Sequence, residues 1–286
     1  MSARSVFEGD REEIRRILHE GQAVWVRAER DALILGDGRQ VRAESATHLP
    51  PCEPTKIIAV HLNYPSRRIE FGVERGTSPT YFQKPTTALS AHGGAIPRPA
   101  DVKYLNYEGE LAVIVGSPMK GVGPDDVWKH IAGFAAANDV GAQDFRDTDA
   151  GGMTRVKGMD GFCPIGPGLV RGVDPRPSAI RTTVNGKVVQ EGRIGDMDFG
   201  IDYLLADLCR HITLLPGDVI LSGTPANSRP MANGDVVEVE IEGIGRLTNR
   251  VVERPAPAFS IGHQPTDSTN VRSVALGLGR RGGMTQ

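Results

Sequence analysis

Apolar positions along this chain fall into short runs separated by glycine, proline and acidic turns, and few of the runs keep a helical period. KIIAVHLNY (56–64), TYFQKPTTALS (80–90), NYEGELAVIVG (106–116), GFCPIGPGLV (161–170), IRTTVNGKVVQEG (180–192) and DVVEVEIEGIGRLTNRVV (235–252) read as strands. Asn185–Gly186 is a hairpin-turn signal inside one of them. Helical spacing is expected in three places. Residues 1–21 place Ile14, Ile17 and Leu18 on one stripe, PDDVWKHIAGFAAANDV (124–140) reads as an amphipathic helix running into a strand, and FGIDYLLADLCRHITL (199–214) precedes a Pro216–Gly217–Asp218 turn. The basic segment SRRIEFG (66–72) is expected to be helical or a loop. Many strands and few helices predict a strand-dominated α+β fold. Short strands with a turn at Gly36–Gly38, then the proline-rich HLPPCEPTK (48–56), set off a small N-terminal α+β domain with its linker at 1–55. A larger domain spans 56–254. The tail at 255–286 has little periodicity and is expected to be extended, disordered alone or packed on a partner subunit.

Composition narrows the function classes. Among 286 residues the net charge is −2 and charged residues make up 24 %, so no basic excess exists to hold nucleic acid. With 35 glycines, 20 prolines and 5 % aromatics, turns and short strands are favoured over long helices. No apolar run approaches the roughly 18 residues a membrane helix needs, and the charged N-terminus lacks a signal-peptide core. Cys52, Cys163 and Cys209 match no zinc spacing, and their number and separation point to free thiols in a reducing, cytoplasmic setting.

One stretch conflicts with its own pattern. NYEGELAVIVG is an apolar strand, yet Glu108 and Glu110 stand two apart near its start, on one face. Two carboxylates there repel each other and lose solvation. A bare pair of this kind ordinarily sits on a solvated edge beside lysine or arginine. A divalent cation would instead replace the repulsion with attraction to one central charge, and a hard ion such as Mg²⁺ or Mn²⁺ wants a third carboxylate and open positions for water or substrate. Asp139, in AAANDVGAQDFR, is the best third candidate.

Four fragments occur in register: Asn63–Tyr64, YEGELAVIVG, the Asp139 segment with Lys157, and SGTP (222–225) followed by NGDVVEVEIEGIGRLTNRV. Together, over roughly residues 56–252, they resemble the fumarylacetoacetate hydrolase superfamily. DVGAQDFR…VKGMDGFCPIG further resembles its isomerase/decarboxylase branch, which acts on hydroxymuconate- and heptadiene-type dioates in aromatic meta-cleavage. The resemblance implies a mixed β-sandwich roll, usually a homodimer. It also implies a Mg²⁺ or Mn²⁺ held by Glu108, Glu110 and Asp139, an oxo-acid substrate chelating that ion, Lys157 as active-site lysine and Thr224 as a substrate contact. A metal-stabilised enolate is common to C–C hydrolysis, decarboxylation and double-bond migration. Beside a metal, the pKa of Lys157 is expected to fall. Lys84 and Gln190 are further candidate substrate contacts.

The sequence departs from the hydrolytic members where they keep a histidine four residues after the NY asparagine and a glutamate three further on. Here Arg67 takes the histidine position while Glu70 remains. Arginine cannot act as a base near neutral pH, so the water-activating dyad is incomplete. Isomerisation and decarboxylation gain ground, and Arg67 with Arg68 could clamp a second carboxylate. His61, two residues before Asn63 and expected on the same strand face, is a candidate replacement base. The family's arginine–aspartate–glutamine order appears as Gln143, Asp144 and Arg146, which makes Gln143 and Arg146 candidate substrate contacts. The expectation is a metal-dependent isomerase or decarboxylase of small 2-oxo or enol dicarboxylic acids. The alternatives are a C–C hydrolase of acylpyruvate or fumarylacetoacetate type and a non-catalytic oxo-acid binder.

Overall fold

A computed structural model describes residues 5–149, 151–256 and 258–279. It contains a twelve-stranded sheet, a five-stranded sheet and a two-stranded pair. The large sheet runs from Gln40–Arg42 through Ala32–Ile34, Gln22–Glu29, Glu12–His19, Cys163–Arg171, Ile131–Asn138, Gly109–Val115, Val219–Leu221 and Ile57–Val60 to Tyr81–Lys84, with Thr47–Leu49 also paired to Glu12–His19 and Leu89–Ala91 to Cys163–Arg171. The five-stranded sheet orders Lys187–Arg193, Ala179–Val184, Val236–Ile241, Gly245–Arg254 and Ala95–Pro99. Five short α-helices complete it: α1 (Pro65–Phe71), α2 (Arg146–Asp149), α3 (Thr154–Lys157), α4 (Ile201–His211) and α5 (Thr269–Ala275). The strand-dominated fold matches the expectation.

Alternation explains the second sheet. In VVEVEI, Val237, Val239 and Ile241 are buried while the residues between them are half-buried. The central strand Gly109–Val115 is buried on both faces, so it reads as a continuous apolar run instead. One face of the large sheet packs with Val239, Ile241 and Leu247 of the second sheet, and Leu111, Val113 and Phe134 lie in that shared core.

Two helical expectations and part of the expectation for the tail need correction. Residues 12–19 form a strand, antiparallel both to Gln22–Glu29 and to Cys163–Arg171, so sheet pairing overrides a spacing met by only three apolar residues. That pairing also joins the N-terminal strands to the large sheet. In 124–140 the helical part is a single 3-10 turn at Val127–His130, and Ile131–Asn138 is a central strand. Its Ala135, Ala136 and Ala137, good helix formers in isolation, are fully buried here. The described tail before residue 269 carries no helix or strand, as expected, but Thr269–Ala275 forms α5, which packs Val271 and Ala275 against Tyr104 of the same chain. The helix expected at 199–214 is α4, SRRIEFG becomes α1 with Pro65 in its first turn, and Asn185 and Gly186 both take positive φ in their turn. All three cysteines are free and buried.

Candidate active site

The antiparallel register assembles the acids. Gly109 pairs with Asn138 and Glu110 with Ala137, so Asp139, one residue beyond the strand end, arrives opposite Glu108. Two bonds fix this corner: the Asp139 N–H donates to the Glu108 carbonyl at 2.8 Å, and the Glu108 N–H donates to Asn138 Oδ1 at 2.9 Å. Gly109 separates the two glutamates because its other face meets the second sheet. A Cβ there would lie 2.1 Å from Thr182 Oγ1, so only glycine lets the strand sit this close. Glu108, Glu110 and Asp139 can offer ligand oxygens that all lie within 4.8 Å of one another.

Three cations surround these acids. Lys84, with no exposed surface, donates to Asp139 Oδ1 at 2.5 Å. Lys157 Nζ reaches Glu108 Oε2 at 2.6 Å, Asp139 Oδ2 at 2.9 Å and the Asp139 carbonyl at 2.8 Å. Arg67 Nη2 donates to Glu108 Oε1 at 3.1 Å. The Gly223 N–H donates to Glu110 Oε2 at 2.7 Å. Burial, then the charges of Asp139 and Glu108, push the Glu110 carboxyl well above its ordinary pKa. Burial acts the same way on Asp139, but Lys157 and Lys84 outweigh it and hold that carboxyl below its usual value. Lys157 is raised, because Asp139 and Glu108 outweigh the cost of burying it. The protein's own groups therefore shift Lys157 opposite to the direction expected beside a metal. A cation engaging Glu108 and Asp139 would withdraw the support that raises it.

This donor set suits a hard divalent ion. It is all oxygen, Glu110 is short of compensating charge, and each ion-paired carboxylate oxygen keeps a second lone pair.

The acids open on a cavity of about 220 Å³. Its walls include Glu108, Glu110, Asp139, Lys157, Arg67, His61, Gln143, Arg146 and Thr224, with Phe71, Phe82, Met153 and Val274 as apolar surface. The structure thus brings together most of the residues singled out in the sequence. His61 reaches the cavity, but not as part of a strand: the strand ends at Val60 and Leu62 takes a positive φ, so Asn63 does not share its face. Asn63 instead braces the backbone, donating to Phe199 and Ser222 carbonyls. Burial first, then Arg146 and Lys157, push His61 down to about 4.

Three named residues lie behind the wall. Lys84 acts on Asp139. Gln190 accepts from the Gly109 N–H at 3.1 Å and donates to Thr224 Oγ1 at 3.0 Å, so it braces the acidic strand against the SGTP loop. Glu70 is held by Arg67 at 2.6 Å and Arg229 at 2.7 Å and accepts from the Asn227 N–H. Arg68 pairs with Asp198, away from the cavity. Asp144 accepts the N–H groups of Lys103 and Tyr104 and so anchors the loop carrying Gln143 and Arg146. Phe71, Phe82, Met153, Arg229 and Val274 were not legible as site residues; only proximity in the fold marks them.

The family model described as fumarylacetoacetate (FAA) hydrolase, C-terminal, matches residues 56–252. The chain belongs to the fumarylacetoacetate hydrolase family. An uncharacterized protein of Archaeoglobus fulgidus is 40 % identical over 221 residues, 77 % of this chain and 88 % of its own length. A 4-hydroxyphenylacetate degradation bifunctional isomerase/decarboxylase of Salmonella dublin is 35 % identical over 68 % of this chain and 46 % of its own, so the chain spans about half of that relative. The crystal structure of 5-carboxymethyl-2-hydroxymuconate delta-isomerase from Mycobacterium smegmatis superposes with a TM-score of 0.78 at 36 % identity, covering 85 % of this chain and 99 % of that one. These similarities place this family member among enzymes. Among its described residues no helix is long and apolar enough to cross a membrane.

Proposed function

We propose that this fumarylacetoacetate hydrolase family member is a Mg²⁺- or Mn²⁺-dependent isomerase or decarboxylase of small 2-oxo or enol dicarboxylic acids formed in aromatic meta-cleavage. It would work as a cytoplasmic homodimer. The observation that carries this reading is the charge pattern of the cavity. Arg67, Lys84 and Lys157 equal Glu108, Glu110 and Asp139 in number, their ion pairs reach Glu108 and Asp139 but not Glu110, Arg67 is shared with the Glu70–Arg229 pair, and Arg146 lines the same cavity. A divalent ion would leave a net positive pocket, which a dianionic acid neutralises and a neutral substrate does not. The enzymes named among its relatives support the same branch.

Glu108, Glu110 and Asp139 would hold the ion, which supplies Lewis-acid polarisation of the substrate's 2-oxo group. Arg67 is positioned to take the distal carboxylate, its guanidinium 4.4 Å from the centre of the Phe71 ring. Thr224 Oγ1 accepts from Gln190, which leaves its own proton free to donate toward the cavity. Lys157 is the lysine that both contacts the acids and lines the cavity. In a double-bond migration its neutral form, favoured once a cation takes Glu108 and Asp139, would take a proton from one carbon and return it to another, with no net change. In a decarboxylation it would deliver one proton to the carbon that loses CO₂. His61, neutral at pH 7, is too weak a base to lead. Phe71, Phe82 and Met153 limit water.

Hydrolysis fits less well. Arginine replaces the expected histidine, and Glu70 is committed to Arg67 and Arg229. The test offers a hydroxymuconate-type dioate, oxaloacetate and an acylpyruvate to the Mn²⁺-loaded protein and follows each product. Isomerised dioate or released CO₂, lost on chelation, is expected. Acylpyruvate cleavage as the fastest reaction would overturn the assignment.

A further inference from the structure

The family model ends at residue 252, yet the cavity is completed by a residue well beyond it. Val274, on α5, lines the same cavity as Phe71 and Arg67. We propose that α5 is a built-in wall of the substrate cavity and that Val274 sets the length of carbon chain the cavity accepts. The proposal rests on the reading of this cavity as an oxo-acid site.

Helix α5 and the residues flanking it are tied to three of the segments that supply the site. Its Ala275 carbonyl accepts from Asn106 Nδ2 at 2.9 Å, two residues before Glu108. Asn270 donates to Asp147 of α2 at 2.9 Å, and the Thr266 N–H donates to the Asp144 carbonyl at 2.9 Å, on the turn that carries Gln143 and Arg146. Tyr104 Oη donates to Asp267 at 2.7 Å, and Val271 and Ala275 are buried against the Tyr104 ring. Ser268 caps the helix, accepting from the Val271 N–H at 3.1 Å.

After the helix, Gly277 lies flat on the Glu70–Arg229 pair. A Cβ at Gly277 would fall 2.3 Å from Glu70 Oε1 and 2.4 Å from Arg229 Nη1, and its φ of +61° suits glycine. The segment therefore touches the strand before the acids, the turn with Gln143 and Arg146, and the ion pair that holds Arg67. Val274, 8 % exposed, is the side chain this docking presents to the cavity. The proximal end of a ligand is fixed by the acids, so an apolar wall elsewhere decides how far its chain can extend. One methylene more or less against such a wall changes binding by about tenfold or more.

Two measurements on the full chain test this. The first needs neither metal nor ligand. In Val271→Asp, which undocks α5 from Tyr104, amide hydrogen exchange across residues 65–71 and 144–149 is expected to quicken by about tenfold while Gly109–Val115 stays protected. The second uses Mn²⁺-loaded protein titrated with oxalate, 2-oxoglutarate and 2-oxoadipate. Val274→Ala is expected to tighten 2-oxoadipate by about tenfold relative to oxalate. Val274→Trp, which leaves the docking contacts in place, is expected to weaken both longer acids and spare oxalate. Unchanged exchange in Val271→Asp overturns the proposal. So does an identical response of wild type and both Val274 variants to all three acids. Failure of wild type to bind oxalate would instead overturn the oxo-acid reading, and exchange alone would then decide whether α5 is a wall.

Discussion

Arg67 is where this chain's chemistry parts from water activation. It carries a positive charge into a cavity, contacts a candidate metal ligand at 3.1 Å and ties up Glu70 at 2.6 Å. Arg67→Ala is expected to raise KM for a dicarboxylate by more than about tenfold, the equivalent of about 1.5–3 kcal/mol for a lost charge-assisted bond. KM for a monocarboxylate should move far less, and steady-state kinetics on the two substrates checks this. Lys157→Met is expected to cut kcat about 100- to 10,000-fold, as loss of a proton carrier does, with a smaller effect on metal affinity. Lys84 touches no substrate in this account. Lys84→Met leaves the buried Asp139 charge with only Lys157, so it should destabilise the fold by about 3–5 kcal/mol in urea melts.

Among the elements, the hairpin of Gly109–Val115 with Ile131–Asn138 does most to make the site. It turns Asp139 and the two glutamates 31 and 29 positions before it in sequence into neighbours, because Gly109 pairs with Asn138. Gly109→Val would push a side chain into Thr182 of the second sheet, and a cost of about 1–3 kcal/mol is expected from overpacking. The same change should weaken Mn²⁺ binding, since it displaces the residue between two ligands; a titration of the folded variant checks this. This pair of strands also shows how far the sequence could be read. The acidic strand was legible from its glycine stop and apolar run. Its partner reads in sequence as an amphipathic helix running into a strand, and its alanines do nothing to oppose a helix. Only burial on both faces, which alanine tolerates without clash, makes Ile131–Asn138 a strand throughout. Residues 12–19 were misread for a related reason: three apolar side chains fit a helical period, and two flanking strands outweigh it.

For the whole molecule, cation binding and acid sensitivity follow from burial. An ion that binds only the folded state at about 100 times its Kd adds about 2.7 kcal/mol. Mg²⁺ or Mn²⁺ should therefore raise Tm, and Glu110→Gln should abolish the rise. Without added ion the same variant should be no less stable than wild type, since it removes a buried charge crowded by two others. Acid acts elsewhere too. His92 is pushed down to about 4, by burial first and then by His48 and Arg15, with Glu13 opposing. Its folded pKa lies below the ordinary value of 6.5, so the unfolded chain binds the proton more readily. Stability should be full above about 6.5, fall as pH drops toward 4 and level off below. His92→Gln, which can still accept from the Thr248 N–H, should remove part of that slope in pH-dependent melts.

The sequence by itself determined the strand-rich class, the family and the identity of the three acids. Each is written in local spacing: alternation, turn glycines, an E-x-E on one strand face and motifs in a fixed order. Tertiary structure decided which cations face those acids, that Gln190 and Lys84 brace from behind, that Glu70 is held by Arg229, and that a helix from the aperiodic tail lends Val274 to the cavity lining. Those facts depend on pairing register and packing between segments at least 18 residues apart in sequence. No local pattern encodes such distances; they appear only once the chain has buried its core.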